Sequence, residues 1–271
     1  MAREGAALLL VGCGKMGGAM LAGWLERKVV SRVAVVEPME AATAGFRDRS
    51  VVSVHADLAA VGTFAPDVVV FATKPQSMEK LLPAYRRFTG RGTLFLSIAA
   101  GKTIAFFEQH LGAVPVIRAM PNTPAQIGRG ITAACPNRHV DAAQRALAES
   151  LLSAVGEVGW VDDEALIDAV TAVSGSGPAY VFLLAECLAE AGAAAGLPRD
   201  LAMRLARATV SGAGELLHRS SESAATLRQN VTSPGGTTQA ALNVLMAEDG
   251  LGPLLTKAVA AAARRSRELA G

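Results

Sequence analysis

The sequence predicts an α/β domain over residues 1–161 followed by an all-α domain over residues 162–271. Two observations carry that prediction. Up to Val161, short apolar runs alternate with segments of helical spacing, the pattern of a largely parallel sheet with crossover helices. From Asp162 onward no convincing strand is present, only apolar periodicity near 3.6 residues broken by glycine and proline. A chain of 271 residues has ample sequence for one large or two modest cores.

Residues 7–11 are a short, wholly apolar run, as expected of a strand buried on both faces. The run leads straight into Gly12-Cys13-Gly14-Lys15-Met16-Gly17, and residues 16–27 show helical spacing with Met16, Met20, Leu21 and Trp24 on one side. Residues 33–36 supply a second strand, ending at Glu37. A G-x-G-x-x-G that follows a strand, opens a helix and meets an acidic residue about 20 positions on is the Rossmann dinucleotide fingerprint. It marks Gly12, Gly14, Lys15, Met16 and Gly17 as cofactor-binding, against the plainer reading of a glycine-rich turn. Glu37 would hold the adenosine ribose hydroxyls and repel a 2′-phosphate, which favours NADH over NADPH unless Arg47 or Arg49 compensates. The alternative is a Glu37 side chain directed to solvent.

The alternation continues with strands expected at 51–54, 67–71, 93–97 and 114–117. Three tails follow: Ala72-Thr73-Lys74-Pro75-Gln76, Ile98-Ala99-Ala100-Gly101, and residues 118–124 (RAMPNTP). Ligands of open α/β sheets sit beyond the carboxyl ends of the strands, so cofactor and substrate belong at these tails. Taken singly, each is only a turn. Residues 131–134 and 158–161 are the last expected strands, around a helix at 141–154. Helices are then expected at 163–173, 178–195, 198–218, 223–230, 236–248 and 252–269. They are alanine-rich and apolar over most of their circumference, so they require burial on several sides, which a second copy of the bundle would supply.

Two glycine-rich corners interrupt that helical half. In Asp168-Ala169-Val170-Thr171-Ala172-Val173-Ser174-Gly175-Ser176-Gly177-Pro178-Ala179-Tyr180, a helix is expected to break at Ser174–Gly177 and restart at Pro178. Such a turn leaves backbone N–H groups and a helix N-terminus available to an anion, or is a helix–helix turn with capping serines. In residues 230–238 (NVTSPGGTT) a glycine turn lies between two helices, with Thr237 and Thr238 entering the second. It is a carboxylate or phosphate cradle or a capping loop. Two cradles beside a dinucleotide fold favour the site.

Composition excludes several classes. Lys+Arg of 26 against Asp+Glu of 24 gives a net charge of +2 without a dense basic run, so nucleic acid has little support as a partner. Arg264, Arg265 and Arg267 read as a solvated face of the last helix. Cys13, Cys135 and Cys187 form neither a disulfide framework nor a metal pattern, which points to a reducing, cytoplasmic setting and no metal. The N-terminal apolar run is too short for a signal peptide. The longest uncharged stretch, 169–185, is interrupted by the Ser-Gly-Ser-Gly-Pro turn and is therefore expected to be a poor membrane span. An apolar content of 51% points to burial beyond one monomer, hence a homo-oligomer.

A dinucleotide implies hydride transfer. Carbonyl reduction needs a proton donor, commonly His or Lys. Only His218 of four histidines lies in the helical half, and the only lysine after Lys102 is Lys257. A protonated C=N needs no strong acid, so imine reduction is favoured. A hydroxyacid dehydrogenase of similar build would want a lysine on the helix after the Ser-Gly-Ser-Gly turn, and residues 178–196 contain none. A non-catalytic NAD(P)-binding module is the other rival.

Residues 168–180 and 230–238 closely resemble the signature stretches of pyrroline-5-carboxylate reductases, and GCGKMG (12–17), TKPQ (73–76) and RAMPNTP (118–124) fit that family in order. The resemblance implies NADPH- or NADH-dependent reduction of L-1-pyrroline-5-carboxylate to L-proline, the last step of proline synthesis. It further implies a Rossmann domain followed by a helical dimerisation domain, and in many members a decamer of five dimers. By the same analogy Ser233, Gly235, Gly236, Thr237 and Thr238 hold the substrate carboxylate, with Thr238 near the ring nitrogen as the catalytic residue. Ala72, Thr73, Lys74, Pro75, Ile98, Ala99, Ala100 and Asn230 would line the cofactor. Ser174, Gly175, Ser176 and Glu164 would lie on the substrate side. Two departures stand out: Glu37-Pro38 replaces the small or basic residue of many NADPH-preferring members, and residues 220–229 lack the Pro-Gly that many members carry.

Overall fold

In the computed structural model, which describes residues 5–270, every residue of the first strand, β1 (Ala6–Val11), is buried. Helix α1 (Lys15–Arg27) and β2 (Val30–Val36) follow, then the short α2 (Glu40–Thr43) and β3 (Val52–His55). Next come β4 (Val68–Phe71), α3 (Pro75–Tyr85), β5 (Leu94–Ser97), α4 (Ile104–Leu111) and β6 (Val116–Met120). The sheet closes with β7 (Gly130–Pro136), α5 (Ala142–Leu152) and β8 (Gly156–Trp160). All eight expected strands are present, in spatial order β3-β2-β1-β4-β5-β6-β7-β8. Only β6 and β7 pair antiparallel; every other neighbouring pair is parallel.

Successive side chains of a strand point to opposite faces, and this sheet buries both. On one face Leu8, Leu10, Val33, Val35, Val68, Val70, Leu94 and Leu96 pack with Met20, Leu21 and Trp24 of α1 and with Leu151 and Leu152 of α5. The other face sets Leu9, Val11, Ala34, Val69, Phe71 and Phe95 against Met78, Leu82 and Tyr85 of α3 and Phe107 of α4. Each such large side chain contributes about 1.5–3 kcal/mol on burial. Trp24 also donates its indole N–H to the Leu151 carbonyl at 2.8 Å, so its one polar atom is satisfied in the core.

The helical half comprises α6 (Leu166–Val170), α7 (Gly177–Ala194), α8 (Arg199–Arg219), α9 (Ala224–Asn230), α10 (Thr237–Leu245) and α11 (Leu251–Ala270). Backbone contacts divide the chain into two compact units. One runs to Gly175 and takes in the segment from Ala263 onward, and the other is Ser176–Ala262. The division falls later than the sequence reading near Val161 because Ile167 of α6 is buried in the Phe71–Phe107 core. At the far end Ser266 of α11 donates to the Asp168 carboxylate at 2.6 Å.

The expected break at Ser174–Gly177 is narrower than a turn: it is a bend at Ser176, after which α7 restarts at Gly177 with Pro178 in its first turn, as expected. Residues Thr171–Gly175 form a π-helical segment that carries α6 toward α7. The Thr171 and Ser174 hydroxyls donate back to the carbonyls of Ile167 and Val170, at 2.7 and 3.1 Å. This local back-bonding lets a Ser/Gly sequence stay helical. A Cβ on Gly175 would lie 2.7 Å from Met120 Cε, so the glycine admits the end of β6. As a result Leu166–Ala194 is long and apolar enough to cross a membrane by length and composition, and an interrupting turn is no ground against that.

In the second unit α7 and α8 pack closely where Gly192 meets Ala202. Large apolar side chains remain outside, including Phe182 at 63% and Leu183 at 57% exposure.

Tyr85 offers a test of the first core. Its hydroxyl is buried with no hydrogen-bond partner, and burial pushes its pKa up. Tyr85→Phe should raise unfolding stability by about 1 kcal/mol in urea titration, because an unpaired buried hydroxyl costs about that much. A loss of stability would mean the hydroxyl is paired.

Candidate cofactor and substrate site

The parallel register aligns the carboxyl ends of four strands in one row: Val36, Val11, Phe71 and Ser97 are consecutive partners across β2, β1, β4 and β5, with Arg118, midway along β6, next in the row. The residues that follow on the first four strands, Glu37, Gly12, Ala72 and Ile98, therefore share one edge. Between β1 and β4 the strand order reverses, which is where such sheets open a crevice.

Gly12 stands at φ +89°, and a Cβ there would lie 2.8 Å from the Ala72 carbonyl oxygen and 2.9 Å from Thr73 Cγ2. A Cβ on Gly17 would strike the Gly12 carbonyl. These two glycines let the loop fold tightly against the β4 tail. Gly14 differs: it is the N-cap of α1, its missing Cβ faces open space, no side chain caps the helix, and no acidic residue lies in the first turn. The start of α1, formed by Lys15, Met16 and Gly17, thus offers uncapped amides and a positive dipole end beside room for an anion. These features fit a dinucleotide pyrophosphate. Helix α3 repeats the arrangement, with Lys74 as an N-cap whose side chain makes no capping bond and Pro75 entering the helix.

Glu37 is not loose in solvent. Its Oε2 accepts the Cys13 N–H at 2.8 Å and its Oε1 accepts the Met39 N–H at 2.9 Å, so the carboxylate braces the glycine loop. Burial, and then the Glu37 charge, push the Cys13 thiol up to about 11. It is neutral at physiological pH and no nucleophile. Arg47 is ion-paired with Glu40 at 3.5 Å.

On the β5 tail, Ile98 donates its N–H to Phe71 O at 3.0 Å and Ala99 to Ser97 Oγ at 3.2 Å, leaving Ala100 exposed. Glu164 Oε1 accepts from Arg118 Nη1 at 2.8 Å and from the Ile104 N–H at 2.9 Å. Arg118 is 5% exposed. Cys135, its cross-strand partner on β7, has its pKa raised by burial and secondarily by Glu164.

In the second unit Asn230 ends α9, and its side-chain amide donates to Glu222 at 3.2 Å. The loop then turns through Gly235 at φ +70°, with Gly236 N–H donating to Ser233 O at 2.9 Å. Thr237 and Thr238 open α10, whose N-cap, Gly236, has no capping side chain, and whose first turn holds no acid. The structure therefore brings Ser233 through Thr238 together as a cradle in this unit. The dinucleotide residues assemble at the sheet edge of the other unit. Ser174 is committed to its own helix, while Ser176 is the residue that begins α7 without capping it. What sequence reasoning missed was Arg118 as a buried charge, although an arginine inside the apolar run of β6 was its signal.

A family model described as pyrroline-5-carboxylate reductase dimerisation matches residues 164–269, and one described as NADP oxidoreductase, coenzyme F420-dependent, matches residues 7–101. The pyrroline-5-carboxylate reductase of Pseudomonas aeruginosa is 41% identical over 268 residues, 97% of this chain and 96% of that one. This chain belongs to the pyrroline-5-carboxylate reductase family. It is an NAD(P)-dependent oxidoreductase. The solved structure of a pyrroline-5-carboxylate reductase from Coxiella burnetii superposes with a TM-score of 0.91 at 35% identity, covering 98% of this chain and 99% of that one. A Plasmodium falciparum pyrroline carboxylate reductase with NADP bound superposes with a TM-score of 0.81 at 26% identity, covering 99% of each chain.

The glycine loop of this reductase makes a paired prediction. Gly14→Ala should leave stability within about 0.5 kcal/mol but weaken NAD(P)H binding, because its methyl enters open space beside the anion position. Gly17→Ala should lower stability by more than about 1 kcal/mol, because its methyl meets backbone. Thermal unfolding and cofactor titration separate the two, and equal effects on stability would refute the assignment.

Proposed function

We propose that this chain reduces L-1-pyrroline-5-carboxylate to L-proline, with the cofactor on the carboxyl edge of the sheet and the substrate carboxylate in the 233–238 loop. The uncapped start of α10 carries this reading: a helix N-terminus entered by Gly-Gly-Thr-Thr, without an acidic residue, is chemically a carboxylate site. When bound, NAD(P)H supplies the hydride that converts the protonated C=N carbon to C–H.

The chain's own groups bind and orient. Gly12, Gly14, Lys15, Met16 and Gly17 hold the pyrophosphate, with Ala72–Pro75, Ile98–Ala100 and Asn230 as further cofactor contacts. Thr237 and Thr238 present hydroxyls in the first turn of α10, and the Thr238 hydroxyl hydrogen-bonds the ring nitrogen. The 230–238 loop contains neither lysine nor histidine, which suits a substrate that arrives already protonated. Orientation rather than acid catalysis then supplies the rate. Glu37 favours NADH: its carboxylate is fixed by two backbone N–H groups, and the Arg47 charge is engaged by Glu40.

The functional division lies near residue 161, with residues 1–161 for the cofactor and residues 162–271 for dimerisation and substrate; the dimerisation match beginning at 164 supports it. A second copy of the chain covers the exposed apolar helices, which removes the need for a membrane, and dimers can build a decamer. A cytoplasmic location accords with the free thiols.

Purified protein should oxidise NAD(P)H when given pyrroline-5-carboxylate, and no turnover by folded protein with either cofactor would refute the reading. Glu37→Ser should gain NADPH use relative to NADH; an unchanged ratio would remove Glu37 from the ribose. Thr238→Ala should lower kcat by roughly tenfold or more, as loss of a transition-state hydrogen bond does. An unaltered kcat would take Thr238 out of the mechanism.

A further inference from the structure

We infer that Glu164 is a positioning residue for the cofactor-facing turn between β5 and α4, and not a substrate ligand. Ile104 is the first residue of α4, so its N–H has no acceptor within the helix. Thr103, the N-cap, spends its side chain on the Phe106 N–H at 3.2 Å. The Ile104 N–H is instead taken by a carboxylate 60 positions away, Glu164 Oε1 at 2.9 Å. The segment 98–103 is thereby pinned at both ends, by Ile98 N–H on Phe71 O and by Ile104 N–H on Glu164. Between the pins Gly101 stands at φ +68°, where a Cβ would lie 2.9 Å from the Leu269 carbonyl oxygen of α11. The turn is held from behind while Ala100 stays exposed.

Charge explains why Glu164 stays there. The same Oε1 that caps α4 accepts from Arg118 at 2.8 Å, and the Arg118 side chain is 6% exposed against 27% for Glu164. Turning Glu164 toward a ligand would strand a buried guanidinium without a counter-ion, a large penalty. With Oε1 shared between the Arg118 guanidinium and the Ile104 N–H, the carboxylate is anchored in this corner, and it gains nothing from an anionic substrate. The pair instead ties β6, the segment leading into α6, and the start of α4 into one corner under the cofactor edge. The inference rests on the reading that Ile98–Ala100 face the cofactor.

The test uses the full-length protein and four variants: Glu164→Ala, Glu164→Gln, Ile104→Pro and Ile104→Ala. Proline is tolerated at a first helical position and deletes only the N–H, while Ile104→Ala controls for the lost side chain. NAD(P)H dissociation constants from fluorescence titration should rise tenfold or more in Glu164→Ala and in Ile104→Pro relative to Ile104→Ala. Glu164→Gln, which keeps an acceptor, should stay within threefold. KM for pyrroline-5-carboxylate should move less than twofold in all, and amide exchange across 98–106 should quicken only in the first pair. If Glu164→Ala does not fold, the Ile104→Pro and Ile104→Ala contrast decides. A raised KM for pyrroline-5-carboxylate with unchanged cofactor binding would overturn the inference by making Glu164 a substrate ligand. Unchanged cofactor binding and exchange throughout would overturn it as well. The cofactor reading fails separately if NAD(P)H gives the unaltered protein no exchange protection at 98–101.

Discussion

A strand buried on both faces accepts a polar side chain only where a partner satisfies it, as Glu164 does for Arg118, so most groups able to do chemistry are displaced to its ends. In this sheet β1, β4 and β5 are buried throughout, and their carboxyl ends deliver Gly12, Ala72 and Ile98 to the same edge. The apolar runs thus do more than fill a core of about 1.5–3 kcal/mol per large side chain. They set the register, and the register sets which backbone atoms converge. Gly12 can approach Ala72 closely only because Val11 and Phe71 are paired partners one residue earlier.

Thr103, Asp141 and Ser223 cap α4, α5 and α9 with their side chains. The starts of α1, α3 and α10 carry no side-chain cap, and each follows a loop marked for cofactor or substrate. A cap satisfies the very N–H groups that an anion would use, and at these three starts no capping side chain takes them. Helices α2, α6 and α8 also lack a side-chain cap, so a missing cap does not by itself mark a ligand.

Features whose causes are local were legible in the sequence. The strand–glycine–helix unit and Glu37 lie within one βαβ stretch, and the 230–238 cradle is contiguous. Features that depend on distant pairing were not. The Arg118–Glu164 pair spans 46 positions, and Ser266 reaches Asp168 across 98. The corner at 174–177 was misread for a different reason. Glycine and serine are helix breakers in isolation, but hydroxyl back-bonding and the packing of Met120 against Gly175 keep the chain helical up to Gly175. The restart with Pro178 in the first turn of α7 was legible, because its cause is local. Burial of Ile167, a tertiary fact, likewise moved the boundary of the compact unit beyond the change in periodicity.

The thiol in the glycine loop has a consequence for the environments this reductase can tolerate. Thiolates attack peroxides and disulfides, and Cys13, whose thiol pKa is pushed up to about 11 and which is 2% exposed, presents none. Burial, assisted by the carboxylate that braces the loop, keeps its sulfur a thiol. The nucleotide loop therefore carries no reactive thiolate, and the exposed cysteine, Cys187, lies in the other unit, away from that loop in sequence.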